Sequence, residues 1–385
     1  MIEDWQHGGF GLYIHWPFCE AKCPYCDFNS HVAREIDHSR WLRAYLSEID
    51  RYAKALPGRV LSSVFFGGGT PSLMDPDVVA AILERVRHSW PTANDLEVTL
   101  EANPGSVEAG RFRAYAQGGV SRVSMGVQAL NDGDLRRLGR IHSVSEAKQA
   151  FDIASQSFDR VSFDLIYARQ HQTIDAWRAE LREALSMAVD HLSLYQLTIE
   201  PGTAFGDRYD KGGLRGLPED ELAADMYDAT QEICDVAGLS AYEVSNHAKY
   251  GSESRHNLIY WRYGDYAGIG PGAHGRLTIN GQRYATDGWS NPERWLQAAE
   301  VGNGEKSRDP IALNDQADEY LMMGLRVNGG IDQQRYFRMA GRNLPKERLT
   351  YLEELRLIEL DDTSVRATRR GRIVLNSVLR ELIGD

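Results

Sequence analysis

Residues 10–28 read FGLYIHWPFCEAKCPYCDF: a short run of strand-favouring residues that passes directly into a loop carrying Cys19, Cys23 and Cys26. A strand that ends in a chemistry-bearing loop is the repeating unit of parallel α/β folds, where functional groups gather at the carboxyl ends of the strands. Working outward, the same alternation recurs. Apolar runs at 61–66, 97–101, 122–126, 160–164 and 191–197 join 11–15 as strands, and amphipathic segments at 41–54, 77–89, 144–157 and 174–188 read as helices. Ser143 followed by Glu146 predicts a capping box that opens the third of these helices. After the sixth strand, Leu222, Met226, Ala229, Ile233 and Val236 keep helical spacing and predict a helix over 219–237. Six βα units fit a closed barrel, a partly open barrel or a doubly wound sheet. The pattern alone leaves these open.

Beyond residue 240 the chain changes character. Residues 241–283 are rich in Tyr, Gly, His and Asn, and 302–307 reads as a linker. Helices follow at 315–326, 333–339 and 346–355; segments 357–360 and 365–368 flank an Asp361–Asp362 turn, and a last helix carries Val374, Leu375, Val378, Leu379 and Leu382. Helices followed by a hairpin predict a small winged-helix-like α+β domain. The expected division is 1–240, 241–304 and 305–385.

The 385 residues carry 43 basic against 55 acidic side chains, a formal charge of −12, which argues against a sequence-independent nucleic-acid binder. Arg366, Arg369, Arg370 and Arg372 are the one local counter-argument. The start, MIEDWQHGG, lacks the positive-then-apolar layout of a secretion signal, and no run approaches the roughly 18 apolar residues of a membrane span. A cytoplasmic location is therefore expected, and a peripheral contact with a membrane surface stays compatible with it. Three of the four cysteines fall within eight residues, which points to metal rather than to crosslinks, and Cys234 reads as an inert thiol.

Cys-x3-Cys-x2-Cys places three thiolates on one short loop, enough to cap three irons of a [4Fe–4S] cubane. The fourth iron then lacks a protein ligand, and the amino and carboxylate groups of S-adenosylmethionine can chelate it. Reduction would split the sulfonium C–S bond and release a 5′-deoxyadenosyl radical. Structural zinc, with His15 or His31 as fourth ligand, is the competing reading. Gly67, Gly68, Gly69 and Thr70 follow a strand directly and let the backbone approach a ligand. Glu101, Gln128 and Asp164 each stand at or just past a strand end, where burial is costly without a partner. Glu101 suits an amino group, Asp164 a ribose hydroxyl or the sulfonium side, and Arg140 a ligand carboxylate.

YIHWPFCEAKCPYCDFNSH, FFGGGTPS, EANPG, SMGVQ, LGRIH and DLIY stand in the order seen in radical-SAM proteins related to oxygen-independent coproporphyrinogen III oxidase, and the chain resembles that family over nearly its whole length. Within it the chain is similar to the heme-chaperone group HemW. The resemblance implies a partial (β/α)6 barrel with a C-terminal winged-helix-like domain. It implies Cys19, Cys23 and Cys26 as cluster ligands, and Tyr13, Tyr25, Gly68, Gly69, Thr70, Glu101, Gln128, Arg140 and Asp164 as contacts to one or two molecules of S-adenosylmethionine. The oxidases carry a further cysteine where this chain has Phe28, which speaks against oxidase activity. HNLIYW, with His256, Asn257, Tyr260 and Trp261, matches the HNxxYW motif associated with heme, and a neutral imidazole beside flat aromatic faces suits a porphyrin. His274 is a second candidate ligand. The implied function is heme binding and transfer to apo-hemoproteins of respiration. The alternatives are coproporphyrinogen oxidation and, for the C-terminal domain, nucleic-acid reading. Relatives often read DLIYGLP where this chain reads DLIYARQ, which puts the contacts of that loop in doubt.

Overall fold

The computed structural model describes residues 3–33, 35–106 and 109–384. Six parallel strands form its centre: β1 (Phe10–Trp16), β2 (Leu61–Gly68), β3 (Thr92–Ala102), β4 (Arg122–Gln128), β5 (Arg160–Tyr167) and β6 (His191–Gln196). All six were legible as apolar runs. Between them run α1 (His38–Ala55), α2 (Pro76–Ser89), α3 (Ala109–Gly118), α4 (Asp132–Arg137), α5 (Val144–Ser157) and α6 (Ile174–Met187), and α7 (Asp220–Val236) follows β6. The capping box at Ser143 and Glu146 is present.

The sheet does not close on itself. Beyond β6 it continues antiparallel through β8 (Asn246–Ala248) to β7 (Ser240–Ala241). On its other side β1 pairs in parallel with β9 (Asp265–Ile269), and β10 (His274–Ile279), β11 (Gln282–Gly288) and β12 (Glu305–Pro310) follow antiparallel. This is an α/β fold with a mixed twelve-stranded sheet, an incomplete TIM-type barrel.

Strand β12 overturns the linker expected at 302–307. Its sequence, EKSRDP, lacks apolar alternation because it is the outermost strand of the sheet, and charged side chains are the usual dress of such an edge. Glu305 is also tied to Arg51 and Arg308, at 3.0 and 2.7 Å.

On the outer face of β1, Leu12, Ile14 and Trp16 join one large apolar core with Trp41 and Tyr45 of α1, and Trp41 stacks on Trp295 at 5.5 Å. The inner face is different. Thr99, Glu101, Arg122, Ser124, Ser162, Asp164, His191 and Ser193 alternate with the core residues along four neighbouring strands. Parallel sheets covered on both sides are ordinarily apolar on both. A polar ladder here marks the interior as a place for ligands.

A distinct α+β region follows β12. It has its own core, including Leu321, Leu325, Ile331, Tyr336, Leu352, Val365 and Val378, around helices Leu313–Gly324, Gln333–Ala340, Lys346–Glu354 and Leu375–Ile383 and the strands β13 (Ile331–Asp332), β14 (Ile358–Leu360) and β15 (Ser364–Ala367). Three of its four clustered arginines are engaged within the chain: Arg366 with Asp361, Arg369 with Asp228 of α7, and Arg372 with Asn328. Among the described residues no helix is long and apolar enough to cross a membrane.

Candidate functional site

The cysteine loop leaves β1 at the carboxyl end of the sheet. Residues Phe18–Cys19 pair in parallel with His31–Val32, which folds the loop back on itself. The Gly69 and Thr70 amides donate to the carbonyls of Trp16 and Phe18, at 2.7 and 2.8 Å, so the glycine turn after β2 is bound to the start of the loop. A Cβ on Gly69 would come within 2.7 Å of the Phe18 carbonyl and 3.0 Å of the Cys19 sulfur. Gly68 has φ +112°, and a Cβ there would stand 2.6 Å from the His15 ring. The triplet therefore has steric reasons to be glycine. All three loop cysteines are free thiols; Cys19 is buried, and Cys23 and Cys26 are half-buried. Burial raises the Cys19 and Cys26 thiols above their ordinary range. Among the described residues no three His, Cys, Asp or Glu side chains converge to hold a single metal ion.

Strands β2 to β5 deliver the other walls. Glu101, from the end of β3, accepts the Gly68 amide at 3.2 Å, and burial pushes its carboxyl up to about 7. Asp164, from β5, accepts Gln128 Nε2 at 2.9 Å, and burial pushes it up to about 6. Gln128 itself adopts φ +71°, an unusual conformation for a residue with a side chain. Arg140 donates to the Cys23 sulfur at 3.2 Å, to the Gly126 carbonyl at 2.8 Å and to Asn103. One cavity is lined by all three cysteines together with Tyr25, Gly68, Gly69, Thr70, Glu101, Gln128, Arg140 and Asp164.

Two polar atoms at this cavity are buried with no hydrogen-bond partner: Asp164 Oδ1 and Arg140 Nε. Such atoms are costly unless a ligand completes them. One acceptor and one cationic donor, beside a second carboxylate and three thiols, fit a cluster on the loop with a zwitterionic, hydroxyl-bearing ligand alongside.

Of the residues expected here, Tyr13 is the exception. It lies on the inner face of β1, outside the cavity lining, and its hydroxyl bonds His15 Nδ1 at 3.0 Å. Asn103, Ser124 and Met125 line the cavity although sequence reading did not single them out. Asn103 stands inside the EANPG motif, two places after Glu101, and that proximity was the available signal.

The HNLIYW segment forms α8 (Arg255–Trp261), which puts His256 and Tyr260 on one face. It sits at the other end of the interior, near the starts of β1, β2 and β3. The Arg255 amide donates to Glu97 Oε1 at 3.0 Å. His256 is only 2% exposed. Its Nδ1 meets Ser63 Oγ at 3.0 Å, its Nε2 meets the Tyr260 hydroxyl at 2.7 Å, and its ring stacks on Phe65 at 4.8 Å. Burial lowers the imidazole to about 3, so it is neutral. The neutral imidazole read from the motif is enclosed, with both nitrogens engaged. Asn257 donates to the Tyr242 hydroxyl, and Trp261 lies under the Arg326 guanidinium. His274, on β10, is exposed beside Asp287 and away from α8.

Residues 13–184 match the radical-SAM superfamily, and residues 311–374 match the HemN C-terminal domain. The heme chaperone HemW of Escherichia coli K12 is 36% identical over 97% of this chain and 98% of its own length. The HemW of Haemophilus influenzae is 37% identical, covering 96% of each chain. A mitochondrial radical S-adenosyl methionine domain-containing protein 1 from Bos taurus is 39% identical over 97% of this chain and 87% of its own. Among solved structures, coproporphyrinogen III oxidase (HemN) of Escherichia coli shares the fold, with a TM-score of 0.80 at 20% identity over 98% of this chain and 92% of that one. The superfamily implies S-adenosylmethionine, a cysteine-ligated iron–sulfur cluster and a capability for chemistry that depends on them. The chain belongs to the HemN/HemW family of radical-SAM proteins, close relatives of coproporphyrinogen III oxidase.

Proposed function

We propose that Cys19, Cys23 and Cys26 hold a [4Fe–4S] cluster with S-adenosylmethionine on its open iron, and that the protein binds heme and passes it to apo-hemoproteins. The cofactor part is carried by one observation: three thiols, the glycine turn, two raised carboxyls and an arginine share one cavity. When bound, cluster and ligand supply reductive cleavage of the sulfonium C–S bond. The chain's own part is binding. Glu101 takes the amino group, Arg140 the carboxylate, Asp164 Oδ1 a ribose hydroxyl, and the backbone at Gly68 and Gly69 lets the ligand lie close. Anaerobic reconstitution with iron and sulfide, followed by EPR with and without S-adenosylmethionine, tests this. A cluster signal that S-adenosylmethionine alters is the expected result, and tetrahedral zinc without sulfide overturns it.

The heme part rests on the relatives named heme chaperones and on Phe28, which is 57% exposed beside the cysteines. Tyr13 and Phe65 stack on each other, and Tyr260 of α8 packs edge-on against Tyr266; such aromatic rings suit a flat macrocycle. Hemin titration with a saturable Soret shift is the expected outcome.

The second reading, coproporphyrinogen III oxidase, is favoured by the enclosure of His256, which leaves no nitrogen of that ring for heme iron. Sustained anaerobic conversion of coproporphyrinogen to protoporphyrinogen would establish it over heme carriage. The region after Pro310 is read as winged-helix-like, its wing being β14 and β15. We place the domain boundary at Pro310 rather than at residue 305, because β12 belongs to the main sheet.

A further inference from the structure

The loop after β5 carries Ala168, Arg169 and Gln170, and none of the three lines the cavity. Its geometry is nonetheless specific. Ala168 has φ +57° and His171 φ +61°, conformations that cost a residue with a side chain and persist only when neighbours impose them. Arg169 is only 3% exposed. Its Nη1 donates to the Ile166 carbonyl at 2.6 Å and reaches the Gln128 carbonyl at 3.5 Å; its Nη2 pairs with Glu180 at 2.5 Å and Asp134 at 2.9 Å. Glu180, from α6, in turn accepts the Leu130 amide at 2.7 Å and Gln172 Nε2 at 3.2 Å.

Three arms of this network reach the segment behind the cavity wall, at the Gln128 carbonyl, at Asp134 and, through Glu180, at the Leu130 amide. Gln128, held at φ +71°, orients Asp164. Asp134 stands in α4, and the Arg140 amide is bonded to Leu135 of that same helix. We infer that Arg169 is a positioning residue for the S-adenosylmethionine site: its buried fork locks the chain from Gln128 to Arg140, so that Gln128, Asp164 and Arg140 meet the ligand already ordered. Glu180 is the more enclosed of its two carboxylate partners, and removing it leaves the buried guanidinium with Asp134 alone, which is disfavoured. A planar fork makes these several bonds at once, which an ammonium cannot. The inference rests on the proposed cofactor site.

The test uses the full chain, reconstituted anaerobically, and reads S-adenosylmethionine binding separately from iron and sulfide content. Arg169→Met is expected to keep the cluster and to weaken S-adenosylmethionine binding about tenfold or more. Arg169→Lys, which keeps the charge without the fork, is expected to recover only part of it. Combined with Gln128→Ala, Arg169→Met is expected to add little, because both act on the same wall. Glu180→Gln gives a second route should Arg169→Met fail to fold, and the same selective weakening is expected. Wild-type affinity in Arg169→Met or Glu180→Gln, or full additivity with Gln128→Ala, overturns the inference and leaves the site intact. A wild-type protein that holds a cluster but binds no S-adenosylmethionine overturns the site reading, and this inference with it.

Discussion

At the residue scale, Glu101 and Asp164 are the groups whose charge the ligand must meet. Glu101 titrates near 7 in the free protein because burial disfavours its charged form. The amino group, neutral when it chelates iron, donates to the carboxylate, so affinity for S-adenosylmethionine is expected to fall as pH drops from about 8 to 6, with proton release on binding. Glu101→Gln is expected to bind roughly tenfold or more weakly and to flatten that profile; a titration at several pH values reads both. The same shift has a consequence for folding of the free protein. A carboxyl raised from 4.5 to about 7 contributes stability that is complete below 4.5 and is lost as pH rises to about 7. Lowered histidines such as His256 act in the opposite sense, losing stability as pH falls below 6.5. The difference between Glu101→Gln and wild type, measured by denaturation across this window, isolates the carboxyl. Gly68→Ala is a steric test at the same spot. With φ +112° and the His15 ring 2.6 Å from the new Cβ, a loss of about 1–3 kcal/mol is expected in thermal unfolding.

At the element scale, most of the scaffold was legible in the sequence because each of the six central parallel strands carries an apolar run. The elements missed have physical reasons. Helix α4 is only six residues long and nearly all polar, DGDLRR, so periodicity had nothing to work on. Strand β12 is polar because it is an edge. Glu101, Gln128 and Asp164 were legible from their positions at strand ends; Tyr13 lies on the inner face but outside the cavity lining, because alternation gives the face and not how far along it the cavity reaches. Helix α8 shows the opposite difficulty. An imidazole with aromatic neighbours has the same sequence signature whether it faces a porphyrin or fills a core. Here it fills the end of the interior, stacked on Phe65 and bonded to Ser63 and Tyr260. His256→Ala should therefore cost about 2–4 kcal/mol, from a cavity and two unsatisfied hydroxyls, as read by denaturant unfolding. If hemin binding survives in that variant, His256 is packing and not ligand.

At the scale of the whole molecule, charge pairs join the C-terminal region to the barrel. Arg276 on β10 pairs with Glu319 at 2.8 Å, Arg369 with Asp228 at 3.2 Å and Arg326 with Glu243 at 3.4 Å. The most enclosed of these contacts is Arg335. Its guanidinium takes both oxygens of Asp4 at 2.8 Å, donates to the Arg262 carbonyl at 2.8 Å, and lies over the Tyr320 ring. Asp4, Arg262 and Arg335 come from the first segment, the end of α8 and the C-terminal region, so this one side chain fastens three parts of the chain. Its position also connects the region to α8, which closes the interior opposite the cysteine loop. Exposed pairs such as Arg369 with Asp228 contribute little when cut singly. Arg335→Met differs, because it leaves a carboxylate and a carbonyl half-buried without their donor, a loss of about 2–4 kcal/mol. Arg335 lies far along the chain from every cavity residue and touches none of them. Earlier proteolytic cleavage beyond residue 310 and a lower unfolding midpoint are therefore expected, with cluster content and affinity for S-adenosylmethionine unchanged. A fall in that affinity would mean that the C-terminal region bears on the cofactor cavity through α8, and that barrel and appended region work as one unit.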